Sequence, residues 1–190
     1  MPKLAPTRQE LEAAIPVIYH EMGQMFSYFF WWKARPILIG NPHFQEPGMP
    51  LSSIQNAAVI ASLLAIRKLN EFFKDRPPRN DERNDDLRAY DYSGFAETGE
   101  VLRPEDYKEI HKRIAHMTFQ AVNNGQASYE LYMAVGLMLP RCVRFLEYIR
   151  NTFYVGQPDK IEEIQIIQDG LIRIRQHWER DVAVENGGTR

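Results

Sequence analysis

The sequence predicts an all-α fold: a helical bundle of about five helices, with a long charged loop between the second and third. Three observations lead there. Apolar residues recur at three- and four-residue steps through most of the chain, the period of a helix buried along one side. No strand-turn-strand pattern and no internal repeat interrupts that period. At 190 residues the chain is long enough to bury a core without cross-links, and one domain over 1–182 with a flexible tail over 183–190 is the expected division.

The first segment runs from Thr7 to Ala34. Thr7 is a capping residue with Glu10 at the capping-box spacing. Leu11, Ile15, Ile18, Met22, Met25 and Phe29 make one helical face. Pro16 is expected to kink or restart the helix, and Pro36 to help end it. The second segment covers Leu51 to Lys74, with Ser52 or Ser53 as cap. Its apolar face is Ile54, Ala57, Ala58, Ala61, Leu64, Ala65, Leu69 and Phe72. The small residues there allow close approach of another helix.

Residues 75–103 carry no periodic element and begin with a run of mixed charge. A loop of this length in a compact domain is usually functional or mobile, and its balanced charge also suits a solvated surface loop. Leu87, Tyr90, Tyr92 and Phe95 predict that its second half packs back onto the body. The third segment runs from Pro104 to Val122: Pro104 suits a first turn, Glu105 and Asp106 favour a helix start, and Gly125 ends it. The fourth runs from Ser128 to Tyr154 with Pro140 as a kink. The fifth, Asp159 to Val182, has the stripe Ile161, Ile164, Ile167, Leu171, Ile174 and Trp178. The residues after it should fray.

Composition narrows the function classes. Hydrophobic residues make up 44% and charged residues 25%, which excludes a disordered body. A net charge of -2 supplies no global basic field, so nucleic-acid contact requires a local patch. Cys142 is the single cysteine, so no intrachain disulfide forms, which fits a reducing cytoplasm. The start lacks the apolar core of a signal peptide, and the longest apolar run, Phe26 to Trp32, is too short to span a bilayer. A cytoplasmic protein without a membrane partner is expected. The aromatic cluster at 26–32 surrounds its helix on nearly all sides. It suits a buried helix end, a dimer interface or, lacking a basic amphipathic face, less readily a membrane surface.

The chemistry-bearing stretch is residues 107–118. At about 100° per residue, Tyr107, Ile110, Ile114, Met117 and Ala121 form the core stripe. His116 falls on the far side with Glu105, Glu109, Lys112 and Phe119, while Arg113 lies between and His111 sits at the stripe's edge. A histidine moves protons near neutral pH, and a neighbouring arginine or lysine holds a phosphate and stabilises developing charge. His116 with Arg113 or Lys112 is therefore a candidate catalytic set for metal-free RNA cleavage; the plain alternative is a surface or inter-helix histidine among ordinary surface charge. His20, His43, His111 and His177 form no metal-ligand spacing, so neither a metal nor another cofactor is expected. On the second segment, Arg67 requires a partner, and Asp91 or Asp86 is the candidate. This pair either pins the loop to the body or joins Asn70 and His116 in one binding pocket of Arg67, Asn70 and Asp91.

Three stretches resemble the HEPN superfamily, in particular its abortive-infection-like branch of bacterial helical proteins. They are Asn-Ala-Ala-Val-Ile-Ala-Ser-Leu-Leu-Ala-Ile-Arg-Lys-Leu-Asn-Glu-Phe-Phe at 56–73, Asp-Asp-Leu-Arg-Ala-Tyr-Asp-Tyr at 85–92, and Ile-His-Lys-Arg-Ile-Ala-His-Met-Thr at 110–118. The last is similar to the group's Asn-Lys-x-Ile-Ala-His-Leu-Thr; outside 56–118 the likeness extends only to helices. The resemblance implies a four- or five-helix bundle, often a homodimer, with an Arg-x4–6-His motif at a dimer cleft forming a metal-independent ribonuclease in catalytic members. Here His116 matches the motif histidine, but Arg113 is only three residues before it and the position four before is Lys112. That departure adds weight to the superfamily's non-catalytic members, which act as antitoxin-like or scaffolding modules. The expected role is thus RNA-related, in defence or stress. The alternatives are a structural or protein-interaction bundle without catalysis, or a small-ligand binder with its pocket under the charged loop.

Overall fold

The computed structural model of the chain describes residues 5–41, 51–75, 87–115 and 126–187. Among them there is no strand. The α-helices are α1 (Arg8–Gln24), α2 (Ser27–Ile39), α3 (Leu51–Phe73), α4 (Pro104–Ala115), α5 (Gln126–Tyr148) and α6 (Pro158–Gly187). A 3-10 turn spans Ala89–Asp91 and a π turn Ile149–Phe153. By its internal contacts the chain forms two compact units, Met1–Cys142 and Val143–Arg190.

The expected first helix is two helices. Its stripe from Leu11 to Phe29 is buried throughout, but the chain breaks at Met25 and Phe26. One straight helix buries one side, and six aromatics between 26 and 32 need more than one. Restarting at Ser27 buries Phe26, Tyr28, Phe29 and Trp31 and leaves Phe30 half exposed. Buried Ser62 of α3 secures the break. Its hydroxyl accepts from the Tyr28 amide at 3.0 Å and donates to the Gln24 carbonyl at 3.5 Å. The capping box of Thr7 and Glu10 forms as expected. Pro16 does not restart the helix and Pro36 does not end one: α1 runs through Pro16 and α2 through Pro36. Both occupy exposed positions, where a missing backbone hydrogen bond is best tolerated. α5 likewise continues through exposed Pro140.

α3 packs against α1, α2, α4 and the 3-10 turn, so its buried surface is wider than the expected stripe and rotated from it. Val59, Ser62, Leu63, Ile66, Asn70 and Phe73 are buried beside Ala65, Leu69 and Phe72, while Ala57 is exposed. Beyond α3, the highly charged residues 76–86 lie outside the described residues. From Leu87 the chain returns to the body, as its aromatics predict. Tyr92 is fully buried, donates its hydroxyl to the Leu11 carbonyl at 2.9 Å and sits edge-on to Phe72 at 6.3 Å. Phe95 is buried against Phe73 at 6.2 Å. The segment then closes the end of α3: the Gly99 amide donates to the Phe73 carbonyl at 2.7 Å, with φ of 113° that favours glycine.

In the second unit, α6 packs against the π turn, and Ile164, Leu171 and Trp178 of its expected stripe are buried. Buried Gln168 donates to Glu147 at 3.3 Å and accepts from Arg150 at 3.5 Å. α6 also continues past Val182 to Gly187, so residues 183–187 of the expected tail are helical. Nothing in Ala183, Val184 and Glu185 stops a helix.

Candidate functional site at the seam of α3 and α4

Arg67, Asn70 and Glu71 recur at helical spacing on α3, Lys74 follows directly after its last residue, and all four face the approach to α4. Asn70 is fully buried, and its Oδ1 accepts from the amides of Val101 at 3.0 Å and Leu102 at 2.9 Å. Those two bonds fix the entry to α4, whose first turn holds Glu105 and Asp106 as expected. Asn70 Nδ2 is buried with no hydrogen-bond partner.

One turn on, Glu71 gathers the polar side chains. Its carboxylate accepts from Lys74 Nζ at 2.7 Å and from the Tyr107 hydroxyl. Lys74 Nζ also lies 3.3 Å from Glu100 and 4.6 Å from the centre of the Tyr107 ring. Arg88 donates to the Glu71 backbone carbonyl at 3.2 Å. Burial works to raise the Glu71 carboxyl, but the hydrogen bonds from Lys74 and Tyr107 and the charges of Lys74 and Arg88 outweigh it and hold the group below its ordinary value. Burial opposes the charge on Lys74, yet Glu71 and Glu100 raise it. Tyr107 is raised by burial first and then by its bond to Glu71.

His111 completes the seam. It is half-buried, with its ring edge-on to Tyr107 at 4.4 Å between centres. Its Nε2 is sealed from solvent and has no hydrogen-bond partner. Burial first and then the charge of Arg67 lower its proton affinity; Glu71 pulls the other way, and Lys74 adds a smaller push in the same direction as Arg67.

The expected site residues thus divide. Arg67 is half-buried and acts on Tyr107 and His111 of α4. No ion pair joins it to Asp91 among the described residues. Asp91 is occupied in its own turn, accepting from the Arg88 amide at 2.8 Å, because a carboxylate three residues ahead of a free amide caps it locally. Asp86 lies outside the described residues. Asn70 serves the entry to α4 rather than a pocket with Asp91. Lys112 is exposed, and among the described residues its one ion-pair contact is with Glu109 at 4.0 Å. Ile110 of the α4 core stripe is buried and Tyr107 half-buried. His116 and the side chain of Arg113 lie outside the described residues. Sequence reasoning missed Glu71, Lys74 and Glu100; the signal was the spacing of 67, 71 and 74 on one side of an otherwise apolar helix.

Among the described residues no three His, Cys, Asp or Glu side chains group as metal ligands, and no helix is long and apolar enough to cross a membrane. Compared with models of known protein families, with curated proteins and with solved structures, the chain matches none of them.

Proposed function

We propose that the chain is a HEPN-like helical protein with an RNA-related role in defence or stress, a weak metal-independent ribonuclease or a non-catalytic relative of one, with α4 as its working helix. The observation that carries this reading is the division of α4 into two sides. Ile110, Tyr107 and His111 turn toward the body, while Lys112 is exposed and only loosely held by Glu109. An exposed cation one turn before His116 is what attack on a phosphodiester uses. In that reaction His116 takes the proton of a 2′-hydroxyl and the freed oxygen attacks the adjacent phosphorus. The bond to the 5′-oxygen breaks, that oxygen takes a proton from water, and His116 returns its proton to solvent, while Lys112 or Arg113 stabilises the negative charge on the non-bridging phosphoryl oxygens.

The protein acts in this reading as a homodimer. Of the 26–32 cluster most rings are already buried, but Phe30 at 50%, Ile37 at 75% and Ile39 at 44% leave α2 an exposed apolar surface. The test is purified protein on mixed RNA with a chelator present, beside His116→Ala. The ribonuclease reading requires cleavage by the wild type, its loss in the variant, and an unchanged melt. A wild type that binds RNA without cutting it leaves the non-catalytic relative.

The second reading, an interaction or structural bundle without chemistry, is favoured by one observation. Asn70, Glu71 and Lys74, the polar residues of the seam, are taken up by internal bonds. A wild type that neither binds nor cleaves RNA, with a destabilised His116→Ala, decides for it.

A further inference from the structure

The seam handles its charges unevenly. Glu71 is the one carboxylate of α3 that meets α4, and its Oε1 accepts from both Lys74 and Tyr107. Glu100 is engaged by Lys74 as well. Arg67, whose charge opposes a proton on His111, has no carboxylate of its own among the described residues. His111 Nε2 is sealed and unpartnered. A neutral imidazole with its proton on Nδ1 leaves only a lone pair at that nitrogen, the less costly form to bury. Protonation puts an N–H there with nothing to accept it, and puts a positive charge next to two cations.

We propose that α4 is an acid-released helix: protonation of His111 places a third cation, without an acceptor, beside Arg67 and Lys74 and undocks α4 from α3. The described groups that act on His111 are Arg67, Glu71 and Lys74 at the end of α3 and Tyr107 from α4 itself; Arg67 and, less strongly, Lys74 oppose a proton there, and Glu71 favours it. Among residues 104–112 of α4 only Ile110 is buried, and the other described contacts of the helix with α3 run through this seam. The lowered proton affinity of His111 has a definite sign. The undocked helix binds the proton better, so the docking that neutral His111 supports is present above the ordinary histidine value of about 6.5 and is lost as pH falls below it. Glu71 is held below its ordinary value and stays ionised over the first part of that fall. The inference rests on the packing of α4 and not on the cleavage reading. If that reading holds, the device governs presentation of Lys112 and His116.

The test is amide exchange on the full chain, corrected for intrinsic rates, from about pH 7.5 to 5. Protection over residues 105–112 should fall by up to about tenfold per pH unit below about 6.5, while that of α1 stays level. His111→Phe keeps a ring edge against Tyr107 and takes no proton, so its α4 protection should be level too. Arg67→Gln removes one opposing cation and should make the wild-type fall shallower, which provides the control if His111→Phe does not fold. In parallel, the His111 ring signals should titrate below the ordinary histidine range. Level α4 protection in the wild type, an undiminished fall in either variant, or titration at or above the ordinary value overturns the proposal. RNA cleavage is not read in any arm.

Discussion

Near its middle α3 meets the α1–α2 corner through buried Ser62, with Val59, Leu63 and Ile66 buried around it. Near its end the same helix meets α4 through Arg67, Asn70, Glu71 and Lys74. The first contact is largely apolar, with one hydroxyl that answers both an amide and a carbonyl. The second is a chain of charges and hydrogen bonds around a single carboxylate. Apolar burial does not depend on protonation, and each buried side chain contributes about 1.5–3 kcal/mol. A polar seam contributes less on balance, since each bond replaces one to water, but removing one partner leaves the other buried and unsatisfied. One helix therefore carries a pH-insensitive joint and a pH-sensitive one, and the working helix of the proposed function is on the sensitive side.

The contrast is open to attack at both ends. The largest effect should come from Phe26→Ala at the corner. Its ring is fully buried, and the cavity should destabilise the protein by about 3–5 kcal/mol, to a similar extent at pH 5.5 and 7.5 in denaturant titrations. Asn70→Ala should cost about 2–4 kcal/mol by leaving the Val101 and Leu102 amides without an acceptor. The loss should show as faster exchange over 101–112 before it shows in global unfolding. Ser62→Ala, which removes the acceptor of the Tyr28 amide, should cost about 1–2 kcal/mol, read as a lower Tm. Glu100→Gln should cost under about 1 kcal/mol, because its contact with Lys74 at 3.3 Å is largely solvated. A Glu100→Gln loss as large as that of Asn70→Ala would mean the seam works by ion pairing rather than by satisfying buried groups.

Where apolar period decides the structure, the sequence was easy to read. The stripe from Leu11 to Phe29 and the return of Tyr92 and Phe95 follow from spacing and burial alone. The break at Met25–Phe26 did not, since it depends on rings that exceed one helix side and on a serine some thirty-five residues away. Pro16 and Pro36 looked like breakers because their exposed positions are a tertiary fact. Arg67 was expected to pair with Asp86 or Asp91: Asp86 lies outside the described residues, and among them no ion pair joins Arg67 to Asp91. The capping of the Arg88 amide by Asp91 is local, and local bonds form before distant ones compete. His111, at the edge of the stripe, proved to be the strained member, because only its packing beside Arg67 and Tyr107 shows that Nε2 has no partner.

The most direct test of the two joints is native-state amide exchange at neutral pH under low denaturant, comparing α4 with α1 and the buried middle of α3. The polar seam predicts that residues 105–112 exchange through a partial opening, at a free energy well below that of global unfolding and with weak denaturant dependence, while Leu63 and Ile66 exchange only with the whole protein. Equal opening free energies and equal denaturant slopes for α4 and α3 would contradict it, because the seam would then be part of one cooperative core.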